Sequence, residues 1–327
     1  MTIREFAALC GVSPATASRF FSGQGRVSEE KQLIMKRMAK ISGYEPPASY
    51  RSRRQLRSAI FAILPDFRHT FNNNMVEILR VQSAEYGRQL MAVQSDGAAN
   101  ETLLALIIAA LPLGVILLGD HQNDRIPVEL VHRSIPAIHC GGLSLTRGVS
   151  AVHIDNMLAA YDGMRHLIRL NHKCIGLLSD DTRAISTDFQ RISGCRRAMD
   201  EAGLALPDSR IAYGETTFDG GYRAMSMLLR QAPEVTAVFA FSDNMAAGAA
   251  ARLWEEGKRI PDDISLLGFD DNECARQLRP ALTTIRQPHE QIAHLSITYL
   301  LEHTRFQEET SLTLPHELIQ RQSCRAL

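Results

Sequence analysis

Thr2-Ile3-Arg4-Glu5-Phe6-Ala7-Ala8-Leu9-Cys10-Gly11-Val12-Ser13-Pro14-Ala15-Thr16-Ala17-Ser18-Arg19-Phe20-Phe21-Ser22 decides how the amino-terminal end of the chain is read. Ile3, Phe6, Ala7 and Leu9 share one helical face, and Gly11 breaks that helix while Val12 plugs the turn. Ser13 is placed to cap a second helix, and Pro14 stands at its first position, where a missing N–H leaves nothing unsatisfied. Helices over 2–10 and 13–22 around a glycine turn make a helix-turn-helix, whose second helix suits a DNA major groove. Ser28 should cap a third helix, with Glu29 and Glu30 in its first turn, an apolar face of Leu33, Ile34, the stem of Arg37, Met38 and Ile41, and Gly43 at its end.

Charge is distributed to match. The 327 residues carry no net charge, yet residues 1–57 hold eleven Lys/Arg and four acids, a head of +7 on a body of −7. A basic arm on an acidic body is the electrostatic footprint of nucleic-acid binding. The six cysteines are scattered without a C-x-x-C, so they read as reduced thiols of a cytoplasmic protein. No apolar run is long enough to cross a membrane, and no secretory pattern opens the chain.

Pro46-Pro47 stops regular structure, and the basic stretch Ser49–Arg57 reads as a linker. Beyond Ser58, short apolar runs such as Ala59–Leu64, Gly114–Leu118 and Ile264–Phe269 alternate with amphipathic segments such as Met75–Arg88, Asn156–Leu170, Phe189–Glu201 and Met245–Glu256. This alternation predicts α/β architecture with parallel sheets covered on both faces, and the length suits two such sheets. Enzyme chemistry lacks support. Asp180-Asp181 and Asp270-Asp271 offer paired acids for a metal, but no ligand set, G-x-S-x-G, phosphate-cradling loop or Cys/His nucleophile accompanies them. A sugar-binding module without DNA function is the other alternative, and the +7 head argues against it.

Seven ordered blocks resemble the lactose/galactose repressor (LacI/GalR) family of bacterial transcription regulators. They are Thr2–Arg19, Gly43-Tyr44-Glu45-Pro46, Leu64-Pro65-Asp66, Arg191-Ile192-Ser193-Gly194, Phe239–Ala249, Gly268-Phe269-Asp270-Asp271 and Pro280–Ile285. The resemblance implies a ligand-responsive, sequence-specific DNA-binding regulator, a cytoplasmic repressor under allosteric control by a carbohydrate or polyol, with no cofactor and no metal. It implies a helix-turn-helix domain (1–45), a hinge (46–57), and two doubly wound periplasmic-binding-protein-like subdomains. These would be 58–154 with 288–311, and 157–285 with 317–327. The expected partners are a pseudo-palindromic operator duplex and a second copy of the chain. Because the chain ends soon after strand-like Glu317–Arg321, a homodimer is expected rather than a tetramer.

On the DNA side the family motif falls on Thr2, Ser13, Pro14, Ala15, Thr16, Ser18 and Arg19. Arg19 has the fork that pairs with guanine O6 and N7, and the hydroxyls suit phosphate oxygens, although Thr16 and Ser18 also fit plain solvated positions. Pro14 and Ala15 stand where relatives carry specificity side chains and offer only apolar contact. The hinge departs from the family's A-R-x-L. Arg53 occupies the expected Leu position, with Arg51 before it and Leu56 three residues later. Insertion of Leu56 in a shifted register, arginines in a narrow minor groove and a flexible basic tether all remain open. On the effector side the resemblance implies Phe71, Asn72, Asp120, Thr187, Arg191, Thr216, Ser242 and Asp270. Asn72 and Thr216 replace aromatics, which makes the pocket more polar and favours a polyol or small sugar, and Ser242 replaces the motif's Asn. Asp270 and Asp243 fit equally as helix caps.

Overall fold

The computed structural model describes residues 1–23, 26–47, 55–95, 100–119, 125–180, 187–302 and 310–327. The head holds three helices: α1 (Ile3–Leu9), α2 (Pro14–Ser22) and α3 (Glu29–Ser42). A capping box starts α1, with Thr2 Oγ1 accepting from Glu5 N at 3.3 Å and the Glu5 carboxylate accepting from Thr2 N at 2.8 Å. Ser13 Oγ accepts from Thr16 N at 3.1 Å at the start of α2. Gly43 closes α3 at φ +62°, a left-handed turn that favours glycine.

Phe6, Ala7, Cys10, Ala17, Phe21, Met35 and Tyr44 form the head's core, with Phe6 stacked on Tyr44 at 4.4 Å between ring centroids. Two sequence expectations fail here. Ser28 stands at the N-cap of α3 without a side-chain cap bond. The buried face of α3 is Met35 with Met38 and Ala39, whereas Leu33 and Ile41 are 70% and 67% exposed. Met35, Met38, Ala39 and Ser42 have the same helical spacing as the expected stripe, so periodicity alone cannot choose between the faces.

Past the linker lie two lobes. The N-lobe sheet contains β1 (Ile60–Leu64), β2 (Leu90–Gln94), β3 (Gly114–Leu118), β4 (Ala137–Cys140), β5 (Ser150–Ile154) and β11 (Ser311–Leu314). Its order is β11-β5-β4-β3-β1-β2 with every pair parallel. The C-lobe sheet contains β6 (Ile175–Ser179), β7 (Ile211–Tyr213), β8 (Ala237–Ala240), β9 (Ser265–Asp270), β10 (Thr283–Arg286) and β12 (Glu317–Ile319). Its order, β12-β10-β9-β8-β6-β7, repeats the same winding with only β12 antiparallel. β1, β3, β5, β6 and β9 are buried throughout, as strands covered by helices on both faces must be.

The covering helices are α4 (Thr70–Glu85), α5 (Asn100–Ala110), α6 (Ile126–His132) and α12 (His289–Glu302) in the N-lobe. In the C-lobe they are α7 (Asn156–Arg169), α8 (Thr187–Glu201), α9 (Phe218–Gln231), α10 (Asp243–Glu255) and α11 (Glu273–Gln277). Each sheet is sandwiched between two apolar clusters, one on each face. Helix α4 begins at Thr70, five residues before the apolar pattern signals it, because Thr70, Asn72, Asn73 and Asn74 make its start mostly polar, and Thr70, Phe71 and Asn72 line the crevice. The chain passes between lobes after β5, after β10, and between β11 and β12. Gly194 sets the packing of α7 against α8: a Cβ there would lie 2.0 Å from Met157 O. That close approach seats α8, and Arg191 on it, against the end of the sheet.

Candidate ligand cleft and nucleic-acid interface

Open parallel sheets bind ligands beyond the carboxyl ends of their strands. Here those ends face each other across a cavity of about 280 Å³. Pro65 follows β1, Gly119 follows β3, Gly141 and Gly142 follow β4, Asp180 follows β6, Phe241 and Ser242 follow β8, and Asp270 ends β9. Of the expected effector residues, Phe71, Asn72, Thr187, Arg191, Thr216, Ser242 and Asp270 line this one space. Asp120 lies outside the described residues.

Arg191 is buried and held at Nε, at Nη1 and over one ring face. Its Nε donates to Asn156 Oδ1 at 3.0 Å and its Nη1 to Phe241 O at 2.7 Å. The guanidinium carbon sits 3.7 Å from the Phe269 ring centroid, and Asp188 Oδ1 is 3.6 Å from Nη1. Asp188 is itself fixed by Ser179 Oγ at 3.0 Å and Asp180 N at 2.7 Å.

Burial pushes the Asp270 carboxyl up to about 6 against the opposing pull of Arg191. Its Oδ1 accepts from Gln287 Nε2 at 2.7 Å. Asp243 is no mere cap. It is buried, accepts from Asn272 N and Thr284 Oγ1 at 2.6 Å each, and is pushed well above the usual carboxylate range by burial and by Asp270. Ser242 does cap α10, accepting from Asn244 N at 3.1 Å.

The lobes also meet directly. Asn74 Nδ2 donates to Asn272 Oδ1 at 2.7 Å and Asn244 Nδ2 to Thr70 Oγ1 at 2.6 Å. Thr216 bonds His69 Nδ1 from the opposite wall. Phe71 lies on Gly141, where a Cβ would come 2.5 Å from the ring, so only glycine fits.

His69, Asp188 and Gln287 escape a sequence reading. The i,i+3 spacing of Asp188 and Arg191 was a usable signal for one of them. His69 and Gln287 reach the cleft only through the meeting of two lobes.

In the head, Thr2, Ser13, Pro14, Ala15 and Arg19 are exposed and Thr16 and Ser18 half-exposed. Ser13 Oγ and Thr16 Oγ1 lie 2.8 Å apart. The Glu5 carboxylate accepts from the Thr2 amide at the N-cap of α1, so the Thr2 end is less open to phosphate than the bare sequence implies. Arg51 and Arg53 lie outside the described residues. Leu56 packs half-buried onto the N-lobe cluster that includes Ala59 and Phe61, in a single helical turn over 55–58. Arg57 Nη1 donates to Gly23 O at 3.2 Å, joining head to lobe.

A DNA-reading head coupled to a hinged, polar small-molecule cleft defines a ligand-responsive DNA-binding protein, not an enzyme. Comparison with known proteins agrees. Residues 164–324 match the periplasmic binding protein-like domain. The chain is 31% identical over 336 residues to the transcriptional regulator CelR of Thermobifida fusca, covering 98% of each chain. It is 30% identical to the transcriptional repressor CytR of Escherichia coli K12, covering 100% of this chain and 97% of CytR. The structure of a CelR–cellobiose complex superposes with a TM-score of 0.72 at 29% identity, covering 99% of both chains. A family member from Enterococcus faecium with bound ribose gives 0.73 at 25% identity, over 82% of this chain and 99% of that one. The chain belongs to the LacI family of bacterial transcription regulators.

Proposed function

We propose that this regulator is a cytoplasmic repressor that binds a pseudo-palindromic operator as a homodimer and senses a small sugar or polyol between its lobes. One observation carries the reading: the two principal polar groups of the cleft are bonded to the crossover segments. Arg191 is tied to Asn156 after β5, and Asp270 to Gln287 after β10. A ligand that engages Arg191 and Asp270 therefore acts on the joints that set the pose of the lobes. It changes DNA affinity only by binding one pose more tightly than the other.

The sugar-bound relatives support the ligand class. The exposed hydroxyls of Ser13, Thr16 and Ser18 with Arg19 support the DNA surface, and Arg51 and Arg53 extend the basic character of the hinge. The proposed division is a head (1–45), a hinge (46–57), an N-subdomain (58–154 and 288–311, extended to Leu314 by β11) and a C-subdomain (157–285 and 317–327). Selection of duplexes from a random pool tests the first half. A two-fold-related motif should emerge, with affinity falling steeply as salt rises, by a slope of about 0.9 per phosphate neutralised. A pool with no preferred sequence, or a flat salt response, would refute it. Repeating the binding with a sugar panel tests the second half, with a shift in DNA affinity expected for at least one member.

A further inference from the structure

The outer face of α3 carries an apolar stripe that the head's own core does not use. Helical spacing puts Glu30, Leu33, Ile34, Arg37 and Ile41 on one side of the helix, opposite Met35 and Ala39, which pack into the core. Leu33 is 70% exposed, Ile41 67% and Ile34 39%. Aliphatic residues scattered singly over a surface carry no message, whereas three along one side of a single helix form a patch. The charges of α3 indicate what that patch fits. Glu29 and Glu30 stand in the first turn, Arg37 and Lys40 lie in the second half, and all four are exposed. A helix that is negative at its start and positive toward its end complements a copy of itself running the other way. The antiparallel register that sets Glu30 against Arg37 of a second copy also sets Leu33 against Ile34 of that copy, and two-fold symmetry makes each pair twice. Ile41 then lies over the residues that lead into the opposing α3.

Size decides where such a contact operates. Three partly exposed aliphatic side chains offer a few hundred Å² per copy at most, against about 1,200 Å² in total for a standing complex. The stripe is too small to hold free copies together, but it suffices once DNA has brought two copies close. The two heads on one operator cannot use it. Heads of this length are about 24 Å across, and half-sites one helical turn apart hold them about 34 Å centre to centre, which leaves a gap between them. Packed helices need their axes within about 8–10 Å.

We propose that the exposed stripe of α3 is a self-association surface, through which the head of one copy docks antiparallel on the head of a copy at the neighbouring DNA site and makes operator binding cooperative. This rests on the operator binding proposed above.

The test is binding of the full chain to duplexes that carry one selected operator or two, with the distance between the two varied base pair by base pair over one helical turn. The second copy should bind about ten-fold more tightly than the first at the spacing that turns the heads toward each other, and the gain should vanish about five base pairs away, where the heads face opposite sides of the duplex. Leu33→Gln with Ile41→Gln removes the apolar stripe without changing charge. This variant should lose the gain while its affinity for a single operator stays within about two-fold, and a thermal melt reports its folding. Glu30→Arg and Arg37→Glu should each weaken the gain, and the two together should restore it, as only a contact of α3 with its own copy can do. Independent binding at every spacing overturns the inference, as does a gain that survives the paired glutamine substitutions in the folded variant. Failure to bind even a single operator removes the operator-binding function itself.

Discussion

Replacing Asp270 with asparagine should stabilise the protein at neutral pH and do little in acid. In the folded chain, burial holds this carboxyl at about 6, above its ordinary value of 3.8. A raised folded-state value means that the folded form binds the proton more tightly than the unfolded form. The resulting stability is fully present below the ordinary value and is lost as pH rises through 6. The difference corresponds to about 3 kcal/mol between the acid limit and neutral pH. No screening discount applies, because Asp270 is 4% exposed.

Asparagine keeps an oxygen for Gln287 Nε2 and accepts the positive φ of +106° at this position at least as well as aspartate. Asp270→Asn should therefore gain about 3 kcal/mol near pH 7.5 and less than about 1 kcal/mol near pH 4. Urea denaturation followed by circular dichroism at the two pH values measures both. The single tryptophan is a poor reporter, since Trp254 is 81% exposed. Equal gains at both pH values, or a loss at neutral pH, would show that burial of this charge is not what the cleft maintains against stability. The variant should also lose much of its effector response, as expected where a site is kept at the expense of fold stability.

Three further outcomes follow from the geometry. Gly141→Ala should destabilise the N-lobe by roughly 1–3 kcal/mol, read as a lowered thermal midpoint, because the new Cβ meets the Phe71 ring at 2.5 Å where φ is already +86°. Asp271→Ala removes the carboxylate that accepts from Arg286 Nε at 2.8 Å and Arg321 Nη2 at 2.5 Å, and should cost about 2 kcal/mol or more by urea denaturation. An unchanged midpoint would mean that this cluster does not hold the crossover strands. Arg19→Ala should weaken the preferred duplex by about 1–3 kcal/mol and relax the choice at one base pair, measured by competition between duplexes. A uniform loss across sequences would reassign Arg19 to the phosphates.

What the sequence made legible is what local chemistry fixes. The Gly11 turn with Ser13 and Pro14, and the apolar runs of β1, β3, β6 and β9, specify their elements within a few residues. Arg191, Ser242 and Asp270 could be placed from the motif blocks that contain them, and all three line the cavity. Long-range choices were not legible. Nothing local says that Ser311–Leu314 joins β5 in one sheet while Glu317–Ile319 joins β10 in the other. The buried face of α3 was misread because two stripes of equal spacing compete. His69 and Gln287 acquire meaning only from residues far away in the chain, Thr216 and Asp270.

The winding of the two lobes bears on how the chain is made. Each sheet takes its outermost strand from residues 311–319, and the tail anchors there too, with Leu266 N donating to Ser323 O at 2.8 Å and Leu327 N to Leu170 O at 2.9 Å. The head, by contrast, completes its core at Tyr44. On the ribosome the DNA-reading module can fold once Tyr44 has emerged, while each sensor sheet keeps an open edge until residues 311–319 have been made. A prematurely terminated message would thus release a reader without its regulator, carrying sticky strand edges that mark it for aggregation or degradation.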